Sequence, residues 1–388
     1  MGEPMSRKVV VFGAGATGRG HVGLLAWQAG FELVFVDKKP DLVQLLQRAG
    51  SYRVRLYGDR EQEIEVSGFR VYHASERAKI AEEVADAALV LTAVFDQNLP
   101  DVAETLALAV PVCAARQRSE PLNCIACENM MDSSSTLGAH VLAQLGDGER
   151  AYAQEHFGFP DCMISRVVPR PEPDPLLIVT EDYNEWTARA DAFRGEKPPA
   201  LAALELVENQ SARLERKLFI HNGGHAVCGY VGFHRGHRFI HEAVRDPVVG
   251  QHVAGALDEL GEVIRRKHGF SPESIDAYKA DLGRRGAIPQ LADAVLRVVR
   301  DPVRKLSPRE RLVAPAVLAV EYGLPRAWIV KGIVAALKYR HPDDAQSLAL
   351  AARLAQQGLE PTLYEVCQLA PNSPLVAEIR AAWDGWNL

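Results

Sequence analysis

Little in this chain marks a secreted, membrane-bound or nucleic-acid-binding protein. Its six cysteines, Cys113, Cys124, Cys127, Cys162, Cys228 and Cys367, are scattered through 388 residues without the dense spacing of a disulfide framework, so reduced thiols are expected. Cys124 and Cys127 form a C-x-x-C that could be a redox pair or half a zinc site. No second C-x-x-C or H-x-x-H follows, and buried thiols are the simpler reading. No apolar run is long enough for a signal segment or a membrane span, which leads us to expect a soluble, cytoplasmic protein. Basic excess is also missing. With 44 Lys and Arg against 50 Asp and Glu, the formal net charge of -6 offers no electrostatic reason to bind nucleic acid. Neither internal repeats nor low-complexity tracts occur.

What is present fits a globular protein of two domains. Hydrophobic residues make up 47% and charged residues 24%, ordinary usage for a chain with a sizeable core, and 388 residues exceed one ordinary domain. Residues 8–12 and 31–36 are short apolar runs with the pattern of buried parallel strands, and residues 21–30 between them read as a helix. The alternation continues with a helix over 75–86 and strands at 87–94, 110–114 and 122–126. Pro111 stands near the start of its run, where a strand tolerates proline best. This predicts an α/β fold with a doubly wound Rossmann sheet. Prolines at 169, 171, 173 and 175 then mark a crossing or edge segment before a strand at 176–180. From residue 201 onward, Ala, Leu, Arg and Glu in helical periodicity predict a mainly α-helical C-terminal domain. The expected division is a nucleotide-binding domain over 1–195 and a helical substrate and catalytic domain over 196–388.

The string Gly13-Ala14-Gly15-Ala16-Thr17-Gly18 lies between the first strand and the first helix, the context in which G-x-G-x-x-G is informative. The first glycine permits a tight turn, the second lets backbone approach a pyrophosphate, and the third lets helix and strand pack closely. The helix N-terminus offers free N–H groups and positive dipole to the anion. Asp37 ends the second strand about 20 residues beyond the loop, where a carboxylate can accept hydrogen bonds from both ribose hydroxyls. It would repel the extra phosphate of NADP, although Lys38 and Lys39 follow at once. The expected cofactor is NAD, held by Gly13, Gly15, Ala16, Thr17, Gly18, Asp37 and Lys38.

Residues 215–226 read Glu-Arg-Lys-Leu-Phe-Ile-His-Asn-Gly-Gly-His-Ala. On an ideal α-helix Lys217, Asn222 and His225 fall within an arc of about 140°. One face can therefore carry an amine, an amide and an imidazole. Oxidising an alcohol needs a base for the hydroxyl proton and donors for the developing oxyanion, and this trio supplies both kinds of group. Taken alone, Lys217 could equally be a solvated side chain and His225 a structural histidine. Gly223 and Gly224 weaken a helix by about 1 kcal/mol each relative to alanine, a cost that makes sense if backbone or substrate must come close.

The segment K-x-x-x-x-N-x-x-H resembles the catalytic signature of the polyol-specific long-chain dehydrogenases. Beside it stand FGAGATGRGHVG at 12–23, PLNCIACENM at 121–130, GHRFIHEAVRD at 236–246, RKLSPRERL at 304–312 and EYGLP at 321–325, spread through most of the chain in family order. The resemblance implies a zinc-independent mechanism in which Lys217 is the general base and the amides of Asn222 and Asn129 polarise the reacting oxygen. It also implies that His225 holds the substrate hydroxyl and orients the lysine. Two departures stand out. Where the family usually has Arg-Phe-x-Asn-Pro, this chain reads Arg284-Arg285-Gly286-Ala287-Ile288-Pro289, longer by about one residue and without the asparagine. Thr92-Ala93-Val94-Phe95 places a ring where relatives tend to have glycine.

The implied reaction interconverts a sugar alcohol, or its phosphate, with the ketose. Arg284-Arg285 and Arg304-Lys305 are candidate phosphate contacts, with Arg284 and Lys305 as the expected ligands, unless those charges face solvent or pair with acids. Alternatives are a free polyol, a sugar acid, or a non-catalytic NAD-binding sensor. The last has no use for a base such as Lys217. The expected partner is this small molecule, with no nucleic acid and no membrane, in a monomer or small homo-oligomer.

Overall fold

Strands that are apolar at nearly every position must be covered on both faces, and the first strands of this chain are. The computed structural model describes residues 8–128, 130–169, 173–198 and 200–387. It divides into two units, Met1–Leu214 and Glu215–Leu388. In the first unit the strands are β1 (Lys8–Phe12), β2 (Glu32–Asp37), β3 (Ser51–Tyr57), β4 (Gln62–Ser67), β5 (Arg70–His73), β6 (Leu89–Thr92), β7 (Leu122–Ala126), β8 (Phe157–Gly158), β9 (Cys162–Ser165), β10 (Leu177–Glu181), β11 (Glu185–Arg189) and β12 (Leu204–Val207).

Six of them form one parallel sheet in the order β5-β2-β1-β6-β7-β8. Along β1 alternate side chains enter different cores. Val9 and Val11 join Leu33, Phe35 and Ile178, whereas Val10 and Phe12 join Ile80, Leu106 and Val110. Strand order reverses at β1, with β2 on one side and β6 on the other, so a crevice opens beyond the carboxyl ends of these strands. Two small sheets flank this one, β10-β3-β4 and β12-β11-β9.

Two expectations need correction. Residues 110–114 are not a strand but the end of the helix Leu99–Ala115, with Pro111 inside it. Its buried residues Leu99, Val102, Ala103, Leu106, Ala109, Val110 and Cys113 repeat at three and four, the helical period that a short apolar run obscured. The strand expected at 176–180 forms as β10, in a small sheet beside β3. The division falls at 214/215 rather than at 195, because β12 is hydrogen-bonded to β11 and so belongs with the first unit.

Among the described residues of the second unit, regular structure is helical. The helix Asn222–His234 is buried along most of its length and packs against the helices Val295–Val299, Pro247–His268 and Ala327–Lys338. Phe219, Val227, Leu260, Val299 and Ile333 belong to that core. No helix among the described residues is long and apolar enough to cross a membrane.

Candidate active site

At the carboxyl end of β1 the chain turns through Gly13 and enters helical structure at residue 16. Gly13 has φ +95°, and a Cβ there would stand 2.3 Å from the carbonyl oxygen of Ala93. A Cβ on Gly18 would stand 1.8 Å from the carbonyl oxygen of Gly13, so neither position admits a side chain. Gly15 differs. A Cβ there meets nothing within 4 Å, so the absence of a side chain keeps open space above the loop. These are the features a pyrophosphate needs, and the loop fits a dinucleotide. Asp37 lies beside it, its Oδ2 accepting from the Ala14 N–H at 2.9 Å and its Oδ1 from the Lys39 N–H at 2.9 Å. Two backbone donors thus orient the carboxylate and leave it acceptor capacity for ribose hydroxyls. Lys38 donates to Asn98 Oδ1 at 2.6 Å, which ties the end of β2 to the loop after β6.

Glu128 follows β7 and is buried. Both its oxygens accept from Thr92 Oγ1, at 2.8 and 2.7 Å, and Oε1 also accepts from the Val94 N–H at 2.9 Å. Burial pushes its carboxyl pKa up. The clamp joins the ends of β6 and β7 one residue before Asn129, which itself lies outside the described residues. Cys124 and Cys127 do not converge, for they belong to different cores. Cys127 instead lies 3.8 Å, sulfur to sulfur, from Cys162. No group of three His, Cys, Asp or Glu among the described residues could hold a metal ion.

The second unit carries the amine, amide and imidazole face, with a geometry no ideal helix gives. From residue 210 to 234 the chain is helical throughout, but Lys217–His221 is a π-helical turn. The Asn222 N–H donates to the Lys217 carbonyl oxygen, an i to i+5 bond. That bond sets Asn222 above Lys217, on a narrower arc than the 140° of a uniform α-helix. Gly223 and Gly224 serve packing. A Cβ on Gly223 would stand 2.9 Å from the Arg311 carbonyl oxygen, and one on Gly224 2.5 Å from a Leu257 methyl carbon.

His225 Nε2 lies 3.1 Å from Asp293 Oδ2, and Arg297 Nε donates to Asp293 Oδ1 at 2.6 Å. Burial opposes charge on Asp293, but the hydrogen bonds from His225 and Arg297 hold its carboxyl well below the usual range. An ionised Asp293 can only accept, so His225 presents Nε2–H to it and the tautomer is fixed. The His221 ring stands edge-on to His225, centroids 5.9 Å apart. Burial, then the charges of Arg285, His225, Lys217 and Arg311, hold His221 well below its ordinary pKa, so it is neutral at neutral pH.

Buried Lys305 donates to the Arg300 carbonyl oxygen, and burial, with Arg311 and Arg304 adding to it, pushes its pKa down to about 7. Arg285 and Arg311 are also buried. Arg284 is not. Its side chain is 69% exposed and pairs with Asp281 at 2.5 Å, so the end of the helix Pro272–Gly286 turns Arg285 inward instead. Sequence reasoning missed Asp293, His221 and Arg311, and it named Arg285 among the candidate contacts but placed Arg284 ahead of it. None stands in a local motif with Lys217 except His221, which lies inside it without a recognised role.

Comparison with known proteins follows the same two-part division. Residues 7–201 match the family model described as the mannitol dehydrogenase Rossmann domain, and residues 211–386 match the mannitol dehydrogenase C-terminal domain. The chain is 38% identical over 372 residues to a mannitol-1-phosphate 5-dehydrogenase of Brevibacillus brevis, covering 96% of each. Its fold is similar to that of Pseudomonas fluorescens mannitol 2-dehydrogenase, solved as a ternary complex with NAD and D-mannitol. That likeness has a TM-score of 0.78 at 17% identity over 97% of this chain and 91% of the other. A substrate-free D-sorbitol dehydrogenase is similar with a TM-score of 0.82 at 15% identity over 97% and 92%.

Proposed function

The chain belongs to the mannitol dehydrogenase family, and on that premise we propose that it is a cytoplasmic, NAD-linked polyol dehydrogenase that interconverts mannitol 1-phosphate and fructose 6-phosphate. The observation that carries this reading is the π turn that stacks Asn222 on Lys217, with His225 one α turn on and braced by Asp293. NAD held by the glycine loop and Asp37 would supply the acceptor for the hydride of the carbinol carbon. Lys217 takes the hydroxyl proton, the Asn222 amide donates to the oxygen as charge develops on it, and His225 holds the hydroxyl in line. Buried Arg285, Arg311 and Lys305 supply positive charge for a phosphate. A panel of polyols, ketoses and their phosphates, read by NADH absorbance, tests the proposal. Turnover confined to unphosphorylated sugars or to sugar acids would overturn the substrate, and no turnover at all would overturn the activity.

Two smaller expectations follow here. Asp293→Asn keeps the shape but removes the charge that fixes the His225 tautomer. It should lower kcat/KM by at least ~10-fold with little change in NAD affinity. Wild-type kcat/KM across the pH range would show that His225 needs no such brace. For the cofactor, Asp37 should give NAD a higher kcat/KM than NADP, and Asp37→Ala should narrow the gap by removing both a hydrogen bond and a repulsion. A wild-type preference for NADP would mean that Lys38 and Lys39 outweigh the acid.

A further inference from the structure

Phe95 carries two unfavourable features, a strained backbone and an exposed ring. Its backbone stands at φ +70°, ψ 148°, a region that glycine occupies freely and other residues at a cost. The residue is 75% exposed, and its ring takes part in none of the ring contacts among the described residues. Strained backbone at a site that must stay strained is usually held by its surroundings, and here it is.

The loop is pinned along its length. The Ala93 N–H donates to Phe12 O at 2.7 Å, the Val94 N–H to Glu128, and the Asn98 N–H to Phe95 O at 3.0 Å. Asn98 Nδ2 donates to Val94 O at 2.5 Å, while its Oδ1 accepts from Lys38. Phe95 is therefore fixed between the glycine loop, which abuts Ala93, and the Asp37–Lys38 end of β2. A flat apolar face presented beside a ribose-binding carboxylate matches one part of a dinucleotide in particular, the purine base.

We propose that Phe95 is a cofactor-binding residue whose ring stacks on the adenine of the dinucleotide. The inference rests on the reading of this crevice as the NAD site. It explains why a ring is displayed to water and why the loop tolerates the backbone it imposes: both are returned when the base arrives.

The test is binding of NADH, ADP-ribose and nicotinamide mononucleotide to the full chain and to Phe95→Gly and Phe95→Tyr, by calorimetry, with Tm of the cofactor-free proteins. Phe95→Gly should weaken NADH and ADP-ribose by roughly tenfold, a typical loss for one aromatic stack, and leave the mononucleotide unchanged. Its Tm should not fall, because relief of the backbone offsets the larger chain entropy of glycine. Phe95→Tyr should bind all three as the wild type does. Unchanged ADP-ribose affinity in Phe95→Gly, or a loss confined to the mononucleotide, overturns the stack on adenine. So does a fall in Tm, which would mean that the ring packs within the protein. A wild type that binds neither NADH nor ADP-ribose overturns the NAD reading itself, a result distinct from the others.

Discussion

Lys217→Ala should lower kcat by at least ~100-fold, the usual contribution of a positioned base, while NAD affinity stays nearly unchanged. The expectation comes from the π turn. Its i to i+5 bond brings an amine and an amide to one face, and a residue out of register by one would lie about 100° away. Nothing in helix propensity requires such a turn, and short π segments occur often at functional sites. A second variant separates base from charge. Lys217→Arg preserves a cation but cannot give up its proton near neutral pH, so it should be as impaired as alanine if proton transfer is the role. Recovery of activity in the arginine variant would assign Lys217 to electrostatic stabilisation. Near wild-type kcat in the alanine variant around neutral pH would remove it from the chemistry. The oxidation rate in the wild type should also rise with pH, because only the neutral amine accepts a proton.

Features decided by neighbours in sequence were readable in it, and features decided by packing were not. The strand, glycine loop, helix and acid from residue 8 to 37 each depend on local spacing, and the structure has β1, the turn at Gly13, helical residues from 16 and Asp37 at the end of β2. Residues 110–114 were misread because a run of five apolar residues carries no period, and the period needed the whole stretch from Leu99. The π turn leaves no compositional trace, since one extra residue in a helix is accommodated by contacts on its far side. Arg284 and Arg285 differ by about 100° in helical phase, so choosing between them required knowing which face of the helix Pro272–Gly286 is buried. Asp293 meets His225 only through tertiary structure, after an αL turn at Ala292 that no motif announces. Asn129 lies outside the described residues, so its expected role rests on the family signature alone.

Fructose 6-phosphate should be reduced with a kcat/KM roughly 100-fold or more above that of fructose. The warrant is the burial of three cations in one unit. A buried arginine or lysine is stabilised by an anion close by, and Arg285, Arg311 and Lys305 are all buried. Arg311 bonds Glu310 at 2.8 Å, and Arg285 lies 3.7 Å from Asp281. Burial, with Arg311 and Arg304 adding to it, holds the Lys305 pKa at about 7, so a negative charge close by would favour its protonated form. A phosphate would supply that charge through charge-assisted hydrogen bonds, and anchoring it would orient the reacting carbon as well as raise affinity. Exposed Arg284, already paired with Asp281, should contribute little, so Arg284→Ala should leave the preference intact whereas Arg285→Ala should reduce it. The pH dependence has a definite sign. Lys305 carries charge below about pH 7 and loses it above, so its share of phosphate binding should shrink, and KM for the phosphorylated ketose rise, as pH increases through that value. A bound phosphate dianion would favour the protonated amine and move the loss to higher pH. Equal kcat/KM for fructose and its 6-phosphate would sink the phosphate assignment and turn attention to a free polyol. Activity with neither would point to a sugar acid, whose single carboxylate could occupy the same cations, or to a phosphate of another configuration.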